Sequence, residues 1–251
     1  MRTNHKSGFT LVELSIVIVI IGLIVAGITA GRSLVDSTKL RTVITEINQI
    51  KTSINAFRLE YDQLPGDMKN AYDYWGTACD AVADDCNGNN NRMIELGNGT
   101  TASEVVRVWQ HLTLAKVFPG SYDGEAAESA KGTQSEVFFS KSGYYRAVIV
   151  SLQNNWVFGT GATITPQNTV IYLGGMGNNW HSVAFTVKQA KSIDTKIDDG
   201  IANSGKVIAP DGDGNVTPKD CSEQFYTAGG ADFNTANLSS DEKYCKIHVF
   251  L

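Results

Sequence analysis

One carboxylate stands inside the longest apolar run of the sequence. From Phe9 the chain reads FTLVELSIVIVIIGLIVAGITAG, and Glu13 is the only charge in it. A carboxylate held at depth in lipid costs on the order of 2–3.5 kcal/mol if unpaired, so Glu13 needs water, a partner or a function. Snorkelling to the interface is one answer. A cation is the other. Cleavage after Gly8 would create a new α-ammonium at Phe9, and the Glu13 of a neighbouring copy could neutralise it. Two charges that are each costly alone become tolerable as a pair.

The remaining chemistry-bearing residues are oxygen donors, sulfurs and imidazoles. Asp211-Gly212-Asp213-Gly214-Asn215 alternates oxygen side chains with glycines, a pattern that suits a calcium loop. No glutamate follows at the twelfth position, so it is not a complete EF-hand, and a hydrated Asp/Gly turn is the alternative. Asp85, Asn87 and Asn89 alternate in the same way with Glu95 nearby, although asparagine supplies no charge. The cysteines are Cys79, Cys86, Cys221 and Cys245, without the CxxC spacing of a zinc or redox site. In an exported chain they form disulfides, and Cys79–Cys86 with Cys221–Cys245 is the favoured pairing because each closes a short loop. In the cytosol they would stay free thiols.

The histidines, His5, His111, His181 and His248, are scattered, and none has a partner at metal or triad spacing. His111, beside Trp109, reads as structural. There is no GxSxG, no phosphate-cradling glycine loop and no HExxH, so nothing supports an enzyme, and no cofactor is required. A formal net charge of −5 argues against a general nucleic-acid binder, which needs a basic face. Trp75, Trp109, Trp156 and Trp180 read as core or interface anchors, with a sugar-binding surface as the alternative.

The elements that must position these residues begin with the apolar run. About 20 such residues span a bilayer as a helix. Arg2 and Lys6 precede the run and favour a cytoplasmic N-terminus; Arg32, Lys39 and Arg41 on the far side weaken that preference. The helix continues, because Leu40, Val43, Ile44, Ile47, Ile50, Ile54, Phe57 and Tyr61 recur at spacings of three and four. Arg41, Glu46, Asn48, Lys51 and Arg58 fall between them as a polar opposite face. Leu64-Pro65-Gly66-Asp67 breaks the helix. Beyond it the sequence predicts a short helix near 68–75 and a polar loop over 79–91. A helix over 103–117 follows, with Val105, Val106, Trp109, Leu112 and Leu114 or Ala115 inward and Thr101 or Ser103 as cap. Strands are expected over 136–140, 144–152, 155–159 and 169–173, a helix over 184–198 with Ala190, Ile193 and Ile197 inward, and a final strand over 244–251.

At Lys6-Ser7-Gly8-Phe9-Thr10-Leu11-Val12-Glu13-Leu14 the sequence resembles the class III signal of type IV prepilins and type II secretion pseudopilins. The resemblance is specific over about 25 residues and looser beyond. It implies a leader of residues 1–8, cleavage by a prepilin peptidase between Gly8 and Phe9, N-methylation of Phe9, and an assembly role for Glu13. It also implies an α+β fold: a transmembrane or fibre-core helix over 9–31, an amphipathic continuation over 32–61, and a 62–251 head with an antiparallel sheet. A C-terminal disulfide loop is common in that family, and Cys221–Cys245 fits its place. Some pseudopilins bind calcium in a C-terminal loop, which favours Asp211, Asp213 and Asn215. Many members kink the helix with a proline where Ala30 stands here.

The implied function is a structural subunit of a pilus-like or pseudopilus fibre. Its partners would be other copies or related pilins, the peptidase, an inner-membrane assembly platform, and lipid before assembly. The implied location is the bacterial inner membrane, single-pass with the head in the periplasm, and then a periplasmic or surface fibre. A membrane-anchored binding module that never polymerises is the alternative. An ordinary secretory signal, cut near Ala30, is the rival at the N-terminus; Glu13 within the apolar region argues against it.

Overall fold

The fold is built on one long helix and an antiparallel sheet. A computed structural model describes residues 10–95, 104–124, 138–143, 145–151, 169–175, 182–210, 221–222 and 232–251. The chain divides into two compact units, Met1–Arg41 and Thr42–Leu251, and helix α1 (Leu11–Tyr61) contributes to both. Gly22, Gly27 and Gly31 lie inside α1 without ending it. Each weakens a helix by only about 1 kcal/mol, and no proline precedes Pro65.

In the second unit the predicted stripe is the buried face of α1: Val43, Ile47, Ile50, Ile54 and Phe57 are at most 1% exposed. One residue departs from the pattern. Glu46, expected on the polar face, is buried. It lies three residues after Val43 and so shares its face. The Tyr145 hydroxyl, the Ser140 hydroxyl and the Lys141 backbone N–H all donate to its carboxylate.

The short elements after α1 are α2 (Ala71–Trp75), a 3-10 turn (Gly76–Ala78), α3 (Ala83–Cys86) and α4 (Glu104–Leu114). The turn α3 falls in the stretch expected as a loop. On α4, Val105, Val108, Trp109 and Leu112 are buried; Val108 takes the inward place expected of Val106. The cap residues Thr101 and Ser103 lie outside the described residues.

The sheet is antiparallel throughout, in the order β1-β2-β3-β5-β4. Its strands are β1 (Phe138–Phe139), β2 (Arg146–Ser151), β3 (Thr169–Gly174), β4 (Val207–Ile208) and β5 (Ile247–Phe250). Ile149 faces Ile171, and Ile171 faces Val249, so β-branched residues meet across the three central strands. Every residue of β2 and β3 is buried, which explains their continuous rather than alternating apolar reading. The strand expected at 155–159 lies outside the described residues. Strand β4 was not legible in the sequence, being two residues long.

Helix α5 (Val187–Ile197) starts at a capping box. Thr186 Oγ1 accepts the Gln189 N–H, and the Gln189 side chain accepts the Thr186 N–H. Of the expected inward residues, Ala190 and Ile193 are buried and Ile197, in the last turn, is only half-buried. The expected α+β class, a long N-terminal helix with an antiparallel sheet, is the observed one.

Candidate functional site

In the first unit, α1 starts on a capping box built from Glu13. Thr10 Oγ1 accepts the Glu13 N–H at 3.2 Å. Glu13 Oε2 in turn accepts the Thr10 N–H at 2.8 Å and the Thr10 hydroxyl at 2.9 Å. Within one chain, then, the carboxylate closes the first turn of its own helix. The T-x-x-E spacing of Thr10 and Glu13 is the sequence signal of such a box, separate from the signal of the Glu13 charge.

Beyond that turn the large apolar side chains from Leu11 to Val35 are 50–83% exposed. The Ser15 and Thr29 hydroxyls among them are satisfied locally: Ser15 donates to the Val12 carbonyl, and Thr29 to those of Val25 and Ala26. A helix whose surface over this stretch is almost entirely apolar suits lipid or the core of a helical assembly. By length and composition α1 can cross a membrane. Gly8 and Phe9 lie outside the described residues.

In the second unit the chemistry gathers around the Leu64-Pro65-Gly66-Asp67 turn. Gly66 has φ +87°, and a Cβ there would meet the Glu104 carbonyl oxygen at 2.5 Å, so the turn needs glycine twice over. Its N–H donates to Nδ1 of the buried His111 at 3.0 Å. Nδ1 therefore lacks a proton, and Nε2 carries one toward the Cys86 carbonyl at 3.1 Å. Burial pushes the imidazole pKa down to about 3, with the Arg107 guanidinium adding to the shift. The expected structural role of His111 is what this network describes.

Asp67 accepts the N–H groups of Asn91 and Arg92, at 3.1 and 2.8 Å. Glu104 accepts those of Asn89 and Glu95, at 3.1 and 2.9 Å. Burial raises the Glu104 pKa to about 7, and the neighbouring carboxylates of Asp67 and Glu95 push the same way. Gly88 runs so close to the Asp67 backbone that a Cβ would collide with it. The loop from 87 to 95 is thus held by carboxylates that accept its backbone donors.

The lesser calcium candidate falls in this loop. Asn87 Oδ1 accepts the Tyr72 N–H. Asn89 Oδ1 accepts the Asn91 N–H, and Asn89 Nδ2 donates to Glu95. Asp85 sits in α3. Among the described residues, the clusters of His, Cys, Asp or Glu close enough for a shared ion do not include Asp85. The stronger candidate, Asp211, Asp213 and Asn215, lies outside the described residues.

Cys79–Cys86 and Cys221–Cys245 are joined as disulfides, the favoured pairing. The sulfurs beside His111 are therefore already bonded and are not thiolate ligands. Trp109 is buried against Phe118 and Phe138, a core anchor, and Trp75 packs near Phe57 and His111. His248 is buried with its ring 4.4 Å from that of Tyr172. His5, His181, Trp156 and Trp180 lie outside the described residues.

A third cluster was not anticipated. Asp194, Asp198 and Asp199 bring carboxylate oxygens within 4.8 Å of one another at the C-terminal end of α5. Burial raises the Asp194 pKa to about 7, helped by the charges of Asp199 and Asp198.

Residues 3–29 match the family described as the prokaryotic N-terminal methylation motif. No curated protein and no solved structure matches the chain. The match covers most of the apolar run and the residues just before it, the stretch that carries Gly8, Phe9, Thr10 and Glu13.

Proposed function

We propose, proceeding from the prepilin-type signal over residues 3–29, that this chain is a structural subunit of a type IV pilus-like or type II secretion pseudopilus fibre. A prepilin peptidase removes residues 1–8 and methylates Phe9, and the apolar helix then carries the subunit from the inner membrane into a helical assembly. The second unit faces the periplasm or the exterior. Lipid, the peptidase, an assembly platform and related subunits are its partners in turn. The motif points to a structural rather than an enzymatic protein.

The observation that carries this reading is Glu13. It is the only charge in an apolar surface that nothing in the described chain covers. A bare apolar helix of this length would be satisfied by lipid alone. The acid is explained by a cation generated next to it, on a copy whose N-terminus has been cut at Gly8. In that assembly the carboxylate leaves the Thr10 capping box, or shares it, to meet the ammonium.

Mass spectrometry of protein purified from its host tests the first step. Expected is a chain starting at methylated Phe9, with Gly8→Ala retaining the leader. A mature N-terminus near Ala30 rejects the peptidase. For the second step, wild type is expected in the sheared fibre fraction and Glu13→Val in the membrane fraction. Wild type found only in membranes would instead mean an anchored binding module.

A further inference from the structure

The end of α5 holds more negative charge than the protein around it answers. Asp194 lies in the last turn, and Asp198 and Asp199 follow immediately. This is the negative end of the helix dipole, where carboxylates are unfavourable and cations are favoured. Each acid holds the following loop with one or both oxygens. Asp194 Oδ1 accepts the Gly200 N–H at 3.2 Å. Asp198 Oδ2 accepts the N–H groups of Lys206 and Val207. Asp199 accepts the Ile201 N–H and the Ser204 hydroxyl. The loop of 198–207 is thereby wound around the three acids.

One oxygen is left over. Asp194 is fully buried, and its Oδ2 has no hydrogen-bond partner. A buried carboxylate oxygen without a donor is strongly unfavourable. Burial, and then the Lys206 charge, destabilise the Lys51 ammonium of α1, while Asp198 stabilises it, so Lys51 answers part of the Asp198 charge. Yet neither the Arg107–Asp80 nor the Lys191–Asp232 ion pair involves the three acids. A proton on Asp194 would neutralise one acid and leave Asp198 and Asp199 facing each other at the helix end. A cation answers all three and supplies the missing partner of Oδ2.

We propose that Asp194, Asp198 and Asp199 form a binding site for a hard divalent cation of the calcium class at the C-terminal end of α5. All-oxygen donors select a hard cation over zinc or copper. Calcium fits better than magnesium, because it tolerates irregular geometry and completes its shell with carbonyls and water, whereas magnesium demands a near-ideal octahedron. The ion clips the end of α5 to the loop leading into β4. The site is separate from the Asp211-to-Asn215 sequence pattern and from the loop of Asn87 and Asn89, and it stands independently of the fibre assignment.

The test uses the full chain in detergent, stripped with chelator and titrated with calcium chloride or magnesium chloride while heat and melting temperature are followed. Sites of this kind in extracellular modules bind at about 10⁻⁴–10⁻³ M. Saturating calcium should therefore raise the melting temperature by about 5 °C, with a smaller rise for magnesium. Asp199→Asn is exposed and keeps an acceptor for Ile201, so it should fold and lose calcium affinity at least tenfold. Asp194→Asn should do the same while keeping its bond to Gly200. The pair Asp211→Asn and Asp213→Asn should retain both the heat and the shift at this site. No saturable calcium uptake by wild type overturns the proposal. Uptake unchanged in Asp194→Asn and Asp199→Asn, or abolished by the Asp211 and Asp213 pair alone, overturns it equally.

Discussion

The Tyr145 hydroxyl donates to the Glu46 carboxylate at 2.9 Å, a bond that joins α1 to the start of β2 across 99 positions of sequence. The same carboxylate accepts the Ser140 hydroxyl at 2.5 Å and the Lys141 N–H at 2.8 Å, so one acid on the helix holds the whole β1–β2 turn. Burial, and then the Glu46 charge, push the Tyr145 pKa far above the ordinary phenol range, so the hydroxyl stays a donor at any working pH. Tyr145→Phe should cost about 1–2 kcal/mol, and Glu46→Ala about 2–4 kcal/mol because three donors lose their acceptor. The double variant should cost clearly less than the sum, since both changes remove one shared bond. Urea unfolding measures all three; additive losses would mean the contact does not form.

His111 locks two segments by one ring. Replacing it with Phe keeps the bulk and strands the Gly66 N–H and the Cys86 carbonyl, so at pH 7 a loss of about 2–4 kcal/mol is expected. The folded-state pKa of about 3 lies below the usual histidine value near 6.5. The unfolded chain therefore binds a proton that the folded chain refuses, and the wild-type advantage is complete above about pH 6.5 and shrinks as the pH falls toward 3. Melting curves of both proteins from pH 7.5 to 4 show this as converging midpoints. Parallel curves would mean the ring takes up a proton in the fold as readily as in the unfolded chain.

Glu104 pulls the other way. Its folded pKa of about 7 is above the carboxylic reference of 4.5, so its favourable protonation is complete below about pH 4.5 and lost as the pH rises through 7. Against Glu104→Gln, the wild type should gain roughly 1–2 kcal/mol between pH 7.5 and 4.5, allowing for solvent screening at a group that is not fully enclosed. The comparison isolates this carboxyl, because Asp67 and Glu95 are present in both proteins. A pH-independent difference would mean that the N–H groups of Asn89 and Glu95 hold Glu104 ionised throughout.

These buried charges mark where the sequence stopped being legible. The apolar run, the stripe from Val43 to Phe57, the break at Pro65-Gly66 and the inward faces of Trp109 and Ile193 all follow from periodicity, because each depends on neighbours three or four residues away. Glu46, Asp67, Glu104 and Asp194 are buried by partners far along the chain or by the winding of a loop, and no local pattern announces that. Glu46 shares a face with Val43, but its charge favours solvent, and only the distant donors Ser140, Lys141 and Tyr145 make its burial tolerable. Two-residue strands such as β4 exist only because β5 lies next to them. The cysteines were legible because loop closure depends on sequence separation alone, and Glu13 because a lone charge among apolar residues needs no fold to be noticed.

The two disulfides should contribute unequally. Cys79 and Cys86 are 7 positions apart, and Cys221 and Cys245 are 24 apart. Chain entropy makes the first closure worth about 2.5 kcal/mol and the second about 3.5 kcal/mol. Position widens the gap. The backbone N–H and carbonyl of Cys245 both bond to the 184–185 segment, two residues before β5, so the longer bridge also anchors the strand that joins β3 to β4. Cys79–Cys86 closes only the loop whose Cys86 carbonyl His111 already holds. Replacing Cys221 and Cys245 with serine should lower the melting temperature more than replacing Cys79 and Cys86. Hydrogen exchange should then accelerate in β5 and β4 in the first variant and around α2 and α3 in the second. Equal losses, or faster exchange in β5 when only the shorter bridge is removed, would contradict this assignment.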